Sequence, residues 1–114
     1  TWEAIMAIPN LKANNICMII DNNDLVSYNN LSVSHSNMYP LEEKFKSFGW
    51  DTKTCNGHNV SEIYKSLNSK KNKPLALIAK TVKGHPISFM SNEPIWHYRS
   101  PNKKELNIAI KDLD

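Results

Sequence analysis

Ile16-Cys17-Met18-Ile19-Ile20 and Leu75-Ala76-Leu77-Ile78-Ala79 are short, unbroken apolar runs, and their reading decides the fold. Each is too short for a buried helix and rich in branched residues, which predicts strands buried on both faces, the kind found in parallel sheets. Working outward, Trp50 to Cys55 alternates weakly and reads as a third, half-exposed strand. Leu41, Phe45 and Phe48 recur at i, i+4, i+7, with Pro40 near the first turn and Gly49 at the stop, and so mark a helix. Asn59 with Glu62 resembles a capping box opening another helix, whose apolar face is Val60, Ile63, Tyr64 and Leu67. Trp2, Ile5 and Met6 start a helix over residues 1 to about 14, which Pro9 kinks or ends early. Lys70 to Lys73 forms a solvated turn, and Ser100-Pro101 caps a last helix with Leu106, Ala109, Ile110 and Leu113 inward. Helices alternating with strands predict a parallel α/β sheet with right-handed crossovers.

The chain has 114 residues, the size of one domain or a piece of one. Apolar residues make up 40% and charged residues 22%, a globular balance. None of the three glycines falls in a GxGxxG or GxxxxGK[ST] spacing, so this segment holds no nucleotide-binding glycine loop. The net charge is +3, and Lys70-Lys71-Asn72-Lys73 is the one dense basic cluster. Without interleaved aromatics it does not make a nucleic-acid face, and no nucleic-acid partner is expected. Cys17 and Cys55 show no metal-ligand spacing, and Cys17 lies in an apolar run, as a reduced thiol in a cytoplasmic protein would. No apolar stretch approaches the roughly 18 residues that span a bilayer, and no signal-peptide pattern opens the chain, so no membrane partner is expected. Thr1-Trp2-Glu3-Ala4 begins without Met and already in a helical pattern, which reads as a segment cut from a longer chain.

In parallel α/β sheets ligands bind beyond the carboxyl ends of the strands, which selects Asp21 to Leu25 and Lys83 to Pro101. Asp21-Asn22-Asn23-Asp24 fails as a calcium EF-hand loop, because Val26 stands where the glycine is required. Magnesium asks less: one or two carboxylate or carbonyl oxygens at about 2.1 Å, with phosphates and water completing an octahedron. A polar turn with Asx hydrogen bonds fits the same residues, and spacing alone leaves both open. His97, in Trp96-His97-Tyr98-Arg99-Ser100-Pro101, can hold a phosphate or a substrate hydroxyl, or be wedged between two aromatics; these also stay open. His35, His58 and His85 read as loop histidines. Glu3 sits beside Trp2 on the first helix, and composition gives it no role.

Several ordered pieces nonetheless form a familiar set. They are Trp2-Glu3-Ala4, Ile19-Ile20-Asp21-Asn22-Asn23, Phe48-Gly49-Trp50, Asn56-Gly57-His58-Asn59, Lys83-Gly84, Ile87-Ser88-Phe89-Met90 and Trp96-His97-Tyr98-Arg99-Ser100-Pro101-Asn102. Together they resemble the cofactor-binding domain of the transketolase family, especially its split or short N-terminal subunits, over nearly the whole chain. The resemblance implies a three-layer parallel sheet of the thiamine diphosphate-binding fold. Residues 1–114 would be the C-terminal part of that domain, downstream of the half that carries its GDG triplet. It implies thiamine diphosphate and Mg2+ (or Ca2+) as cofactors. Asn23 would close the Asp-x-Asn motif, giving its side-chain oxygen to the metal near the diphosphate, and Leu25 would give its backbone carbonyl. His97 matches a histidine close to the diphosphate and the sugar, and Glu3 a glutamate in an acidic proton relay across the dimer interface. The implied activity passes a two-carbon ketol unit between sugars or sugar phosphates. The implied partners are a second copy of the chain, or a second subunit with the pyrimidine-binding domain, so that the segment alone is inactive. A thiamine diphosphate paralogue forming another carbon–carbon bond, or a degenerate dimerisation module, would carry the same pieces.

The sequence departs from the family at three points. Asp24 stands where a basic residue or glycine is usual, adding negative charge near the phosphates. Val26 and the Ser/Asn-rich stretch after it replace a more regular turn. His85-Pro86 replaces a stretch that usually holds a second glycine.

Overall fold

Leu75–Lys80 forms β5, the middle of a three-stranded parallel sheet whose outer strands are β1 (Cys17–Asn22) and β4 (Asp51–Asn56). The register is even on both sides: Leu75 pairs with Cys17 and Asp51, and Lys80 with Asn22 and Asn56. The structure is a computed structural model that describes residues 1–27, 29–69 and 72–113. It divides into two compact units, Thr1–Asn22 with Asn37–Thr81, and Asn23–Ser36 with Val82–Asp114.

In the first unit the sheet is covered on both faces, as the α/β reading requires. Helices α1 (Trp2–Asn10) and α3 (Leu41–Ser47) cover one face, where Ile5, Phe45, Trp50 and Ala76 form a buried cluster with Ile8, Ile16, Met18, Ile20 and Phe48 against it. The other face buries Cys55, Leu77 and Ala79 under Ile63 and Leu67 of α4 (Val60–Leu67). Alternate side chains of β5 thus enter opposite layers, which is why its apolar run is unbroken. Burial pushes the Cys55 thiol above its ordinary value, with the Glu62 charge adding to the effect.

Two sequence expectations need correction here. Ile16 to Ile20 is not buried on both faces. Among the described residues β1 has one strand neighbour, and Ile19 remains 56% exposed because the cluster under α4 takes Cys17 and stops there. On α4, Val60 and Tyr64 face solvent, at 79% and 67% exposure, and only Ile63 and Leu67, one turn apart, pack. The capping box does form: Asn59 Oδ1 accepts from Glu62 N–H at 3.2 Å, while Glu62 accepts from Asn56 N–H at 2.9 Å and from the Asn59 side chain at 3.1 Å.

The second unit holds a hairpin of β2 (Leu25–Val26) and β3 (Asn29–Asn30), the single-turn α2 (Leu31–Ser34), and α5 (Lys103–Leu113). Of the four α5 residues expected inward, Ala109 is buried; Leu106, Ile110 and Leu113 are exposed. Its cap is Asn102 in place of Ser100. Asn102 Oδ1 accepts from the Lys104 and Glu105 amides at 2.9 and 3.0 Å, and Glu105 accepts from Asn102 N–H at 2.8 Å. The Asn- and Ser-rich stretch that follows Ile20 continues β1 to Asn22 and then folds into the hairpin and a helical turn. Lys70 and Lys71 of the expected basic turn lie outside the described residues. Among the described residues no helix is long and apolar enough to cross a membrane.

Pro9 ends α1 as expected, one residue before its last, and its effect reaches the core. An α-helix would bond residue 9 N–H to the Ile5 carbonyl, and proline has no N–H. The Trp50 indole N–H takes that acceptor instead, at 2.8 Å, in a buried setting, with Phe45 edge-on to Trp50 at 5.8 Å. Trp50→Phe leaves the carbonyl without this donor and should cost about 1–3 kcal/mol in urea unfolding. Adding Pro9→Ala should recover part of that loss, and strict additivity of the two changes would refute the assignment.

Candidate functional site

β1 ends at Asn22 and β5 at Lys80, and the residues singled out as ligand-facing follow these ends in the chain. Within the first unit the two ends are tied together. Thr81 N–H donates to the Asn22 carbonyl at 3.3 Å, the Thr81 hydroxyl donates to Asp21, and Tyr39 OH donates to Asn22 Oδ1 at 2.8 Å. Asp21 and Asn22 are thereby engaged within the sheet end.

Asn23 and Leu25 belong to the second unit, where Asn23, Leu25, Val26, Ser27, Lys83 and His97 line a cavity of about 340 Å³. The structure therefore brings Asn23, Leu25 and His97 together. Asn23 also makes the Asx turn that the polar-turn reading expects, its Oδ1 accepting from Leu25 N–H at 2.9 Å. That bond orients the Asn23 amide.

His97 ends a short 3-10 turn, Pro94–His97, and is exposed. Its ring meets Tyr98 edge-on at 4.9 Å, but Trp96 turns to other partners. The Trp96 indole donates to the Phe89 carbonyl at 3.1 Å, its ring lies 5.1 Å from Phe89, and the Arg99 guanidinium stacks over it at 4.2 Å. The wedge between two aromatics is not what forms. Arg99 in turn pairs with Glu105, whose carboxyl is held below its ordinary range first by the Asn102 amide and then by Arg99. Asp112 is lowered likewise by the Ser88 amide and hydroxyl, both donating at 2.7 Å. These bonds fasten the stretch from Ser88 to Asn102 onto α5, so His97 stands on an anchored segment.

Glu3 does not join this group. It lies in the first unit, in the first turn of α1, exposed, with the Thr1 nitrogen 3.2 Å from its carboxylate. Lys83 carried no role in the sequence analysis, yet it lines the cavity. Its position three residues past the central strand was the available signal, since that is where the parallel-sheet rule places ligand contacts.

Among the described residues no three His, Cys, Asp or Glu side chains come together to hold a metal. The polar residues lining the cavity are Asn23, Ser27, Lys83 and His97, with Leu25 and Val26 beside them. Such a set suits a hard divalent cation that arrives with its own anionic oxygens, and it suits a diphosphate.

Lys83 is placed by Gly84. Gly84 has φ +83°, and a Cβ there would stand 2.3 Å from the Met90 carbonyl oxygen. The Lys83 carbonyl accepts from Asn92 N–H at 2.9 Å across the same loop. Gly84→Ala should destabilise by about 1–3 kcal/mol from the backbone conformation alone, with the clash adding to it. Urea unfolding showing a change below about 0.5 kcal/mol would mean the loop adapts freely.

A three-stranded parallel sheet covered by helices on both faces defines a class, an α/β protein. The comparisons narrow it. The chain is 31% identical to one subunit of the apulose-4-phosphate transketolase of Actinobacillus succinogenes over 114 residues, covering 98% of this chain and 41% of that protein. Human transketolase is 32% identical over 112 residues, covering 98% of this chain and 18% of that protein. The crystal structure of Campylobacter jejuni transketolase superposes with a TM-score of 0.73 at 23% identity, over 82% of this chain and 15% of that one. No family model matches the sequence. The fold is that of a transketolase, and the homologues of this chain are transketolases and a split transketolase subunit. The chain spans less than half the length of these curated relatives.

Proposed function

We propose that residues 1–114 are the C-terminal part of a thiamine diphosphate-binding domain in a transketolase-type transferase, acting on sugars or sugar phosphates. The observation that carries this reading is the common cavity of Asn23, Leu25, Lys83 and His97 in a chain whose homologues are transketolases. When bound, thiamine diphosphate supplies the carbanion chemistry that moves a two-carbon ketol unit from a ketose to an aldose. The chain's residues hold and orient. Asn23 Oδ1 and the Leu25 carbonyl offer oxygens to a divalent cation, Mg2+ or Ca2+, and the Lys83 ammonium neutralises diphosphate charge. A His97 ring N–H donates to a phosphate or sugar hydroxyl oxygen, or a ring nitrogen accepts its proton. Glu3 serves as a relay residue at the contact with a second subunit, which its exposure on α1 permits. That partner is a second copy, or a separate chain with the pyrimidine-binding domain; one relative is by name a single subunit of its transketolase, which supports the latter.

Two variants of the complete protein test the reading. Asn23→Leu removes a fixed oxygen and should weaken magnesium-dependent thiamine diphosphate binding at least tenfold, about 1.4 kcal/mol or more. Unchanged affinity by calorimetry would reject the metal role. His97→Ala should slow ketol transfer by roughly 10² while cofactor affinity falls less. Full turnover with a lowered melting temperature would instead make the ring structural.

A further inference from the structure

Asp24 sits between Asn23 and Leu25 in sequence, yet it is not one of the six residues that line the cavity. Its carboxylate is turned to the segment after the hairpin. Oδ1 accepts from the Ser32 amide at 2.8 Å, and Oδ2 from the Ser32 hydroxyl at 2.6 Å and the Asn30 side-chain amide at 3.3 Å. Its own carbonyl accepts from Leu31 N–H at 2.8 Å. Four bonds from one residue therefore reach three consecutive positions, Asn30 to Ser32. The backbone at Asp24 is left-handed, at φ +57°, a conformation that aspartate tolerates better than most residues.

The left-handed residue turns the backbone sharply between Asn23 and Leu25. That turn accompanies the 2.9 Å bond from Leu25 N–H to Asn23 Oδ1, and both residues line one cavity. A flexible residue here would leave both oxygens mobile, and a group held loosely loses binding energy in being ordered. We propose that Asp24 is a positioning residue: its charge is taken up within the hairpin and α2, and it locks the Asn23–Leu25 loop in ligand-ready form. The consequence for binding rests on the proposed function; the hold on the loop does not. The carboxylate that the sequence places next to Asn23 is thus engaged by donors of Asn30 and Ser32.

The test uses the complete protein with Asp24→Ala and Asp24→Asn, read by amide hydrogen exchange over residues 23–34 without ligand, and by calorimetry with Mg2+ and thiamine diphosphate. Asparagine keeps one acceptor oxygen and a tolerance for positive φ. Expected are loss of exchange protection and at least tenfold weaker binding for Asp24→Ala, with Asp24→Asn within about threefold of the parent. Unchanged protection in Asp24→Ala overturns the hold, and lost protection with unchanged affinity overturns the link to the ligand. A tenfold gain in Asp24→Asn would show that the charge faces the diphosphate, against the proposal. If the parent protein binds no thiamine diphosphate, the functional reading fails, and the exchange measurement still decides whether Asp24 holds the loop.

Discussion

The first unit depends on one constraint: β5 must be buried on both faces and hydrogen-bonded on both edges. With Leu75 to Ala79 all buried, every backbone N–H and C=O there needs a partner strand, since an unpaired buried amide costs roughly 1–3 kcal/mol. The even register with β1 and β4 meets that demand. Parallel pairing in turn requires crossovers, and α3 and α4, which lie in them, cover the faces β5 presents together with α1, which precedes β1. α1 and α3 lie over Ala76, and α4 over Leu77 and Ala79. Close approach at the end of β5 adds a further demand. Gly57 N–H donates to the Lys80 carbonyl at 2.7 Å, and a Cβ on Gly57 would lie 2.3 Å from the Thr81 methyl. Glycine's lack of a side chain is what the turn after β4 uses.

The parts legible in the sequence were those specified by local pattern. An unbroken apolar run, an i, i+4, i+7 stripe and an Asn-x-x-Glu cap each need only neighbouring residues, and each appears where it was expected. What failed depended on position in the assembled sheet. Ile16-Cys17-Met18-Ile19-Ile20 and Leu75-Ala76-Leu77-Ile78-Ala79 look equivalent as strings, but one became an outer strand and the other the centre. Apolar residues on α4 and α5 likewise declare what could be buried without saying what covers them. Val60, Tyr64 and three of the four α5 residues therefore read as inward and are exposed. The Pro9–Trp50 link was illegible for a related reason. Proline announces a missing donor, but nothing local to residue 9 says that an indole 41 positions later supplies it.

The candidate site divides the same way. Asn23, Leu25 and His97 were named from the strand-end rule and from the resemblance, and the cavity contains all three. Their local chemistry was decided by partners that no spacing reveals. Trp96 could have sandwiched His97 against Tyr98. It donates instead to the Phe89 carbonyl and stacks under Arg99, and among the described residues the imidazole of the exposed His97 meets the Tyr98 ring. Lys83 opens the segment that the strand-end rule selects, but a single lysine beside a glycine is common on any surface, and its place in the cavity is what separates it from the rest.

Asp24 shows how a charge that reads as a defect can be a local necessity. Judged by formal charge, an acidic residue beside a diphosphate site repels its ligand, and at about 4 Å in an effective dielectric of about 20 the penalty is about 4 kcal/mol. That figure assumes a carboxylate facing the phosphates. Here its oxygens accept hydrogen bonds from the Ser32 amide, the Ser32 hydroxyl and the Asn30 side-chain amide, and Asp24 does not line the cavity. The sign of the residue's effect is therefore set by the direction of its side chain. That direction follows from the left-handed backbone, which turns the carboxylate toward the start of α2 while Asn23 and Leu25 keep the cavity wall. A glycine at position 24 would allow the same φ but would supply none of the three side-chain bonds, while keeping the backbone bond from Leu31. In a stretch as rich in Ser and Asn as this one, where competing turns are many, those added bonds select one loop conformation among them.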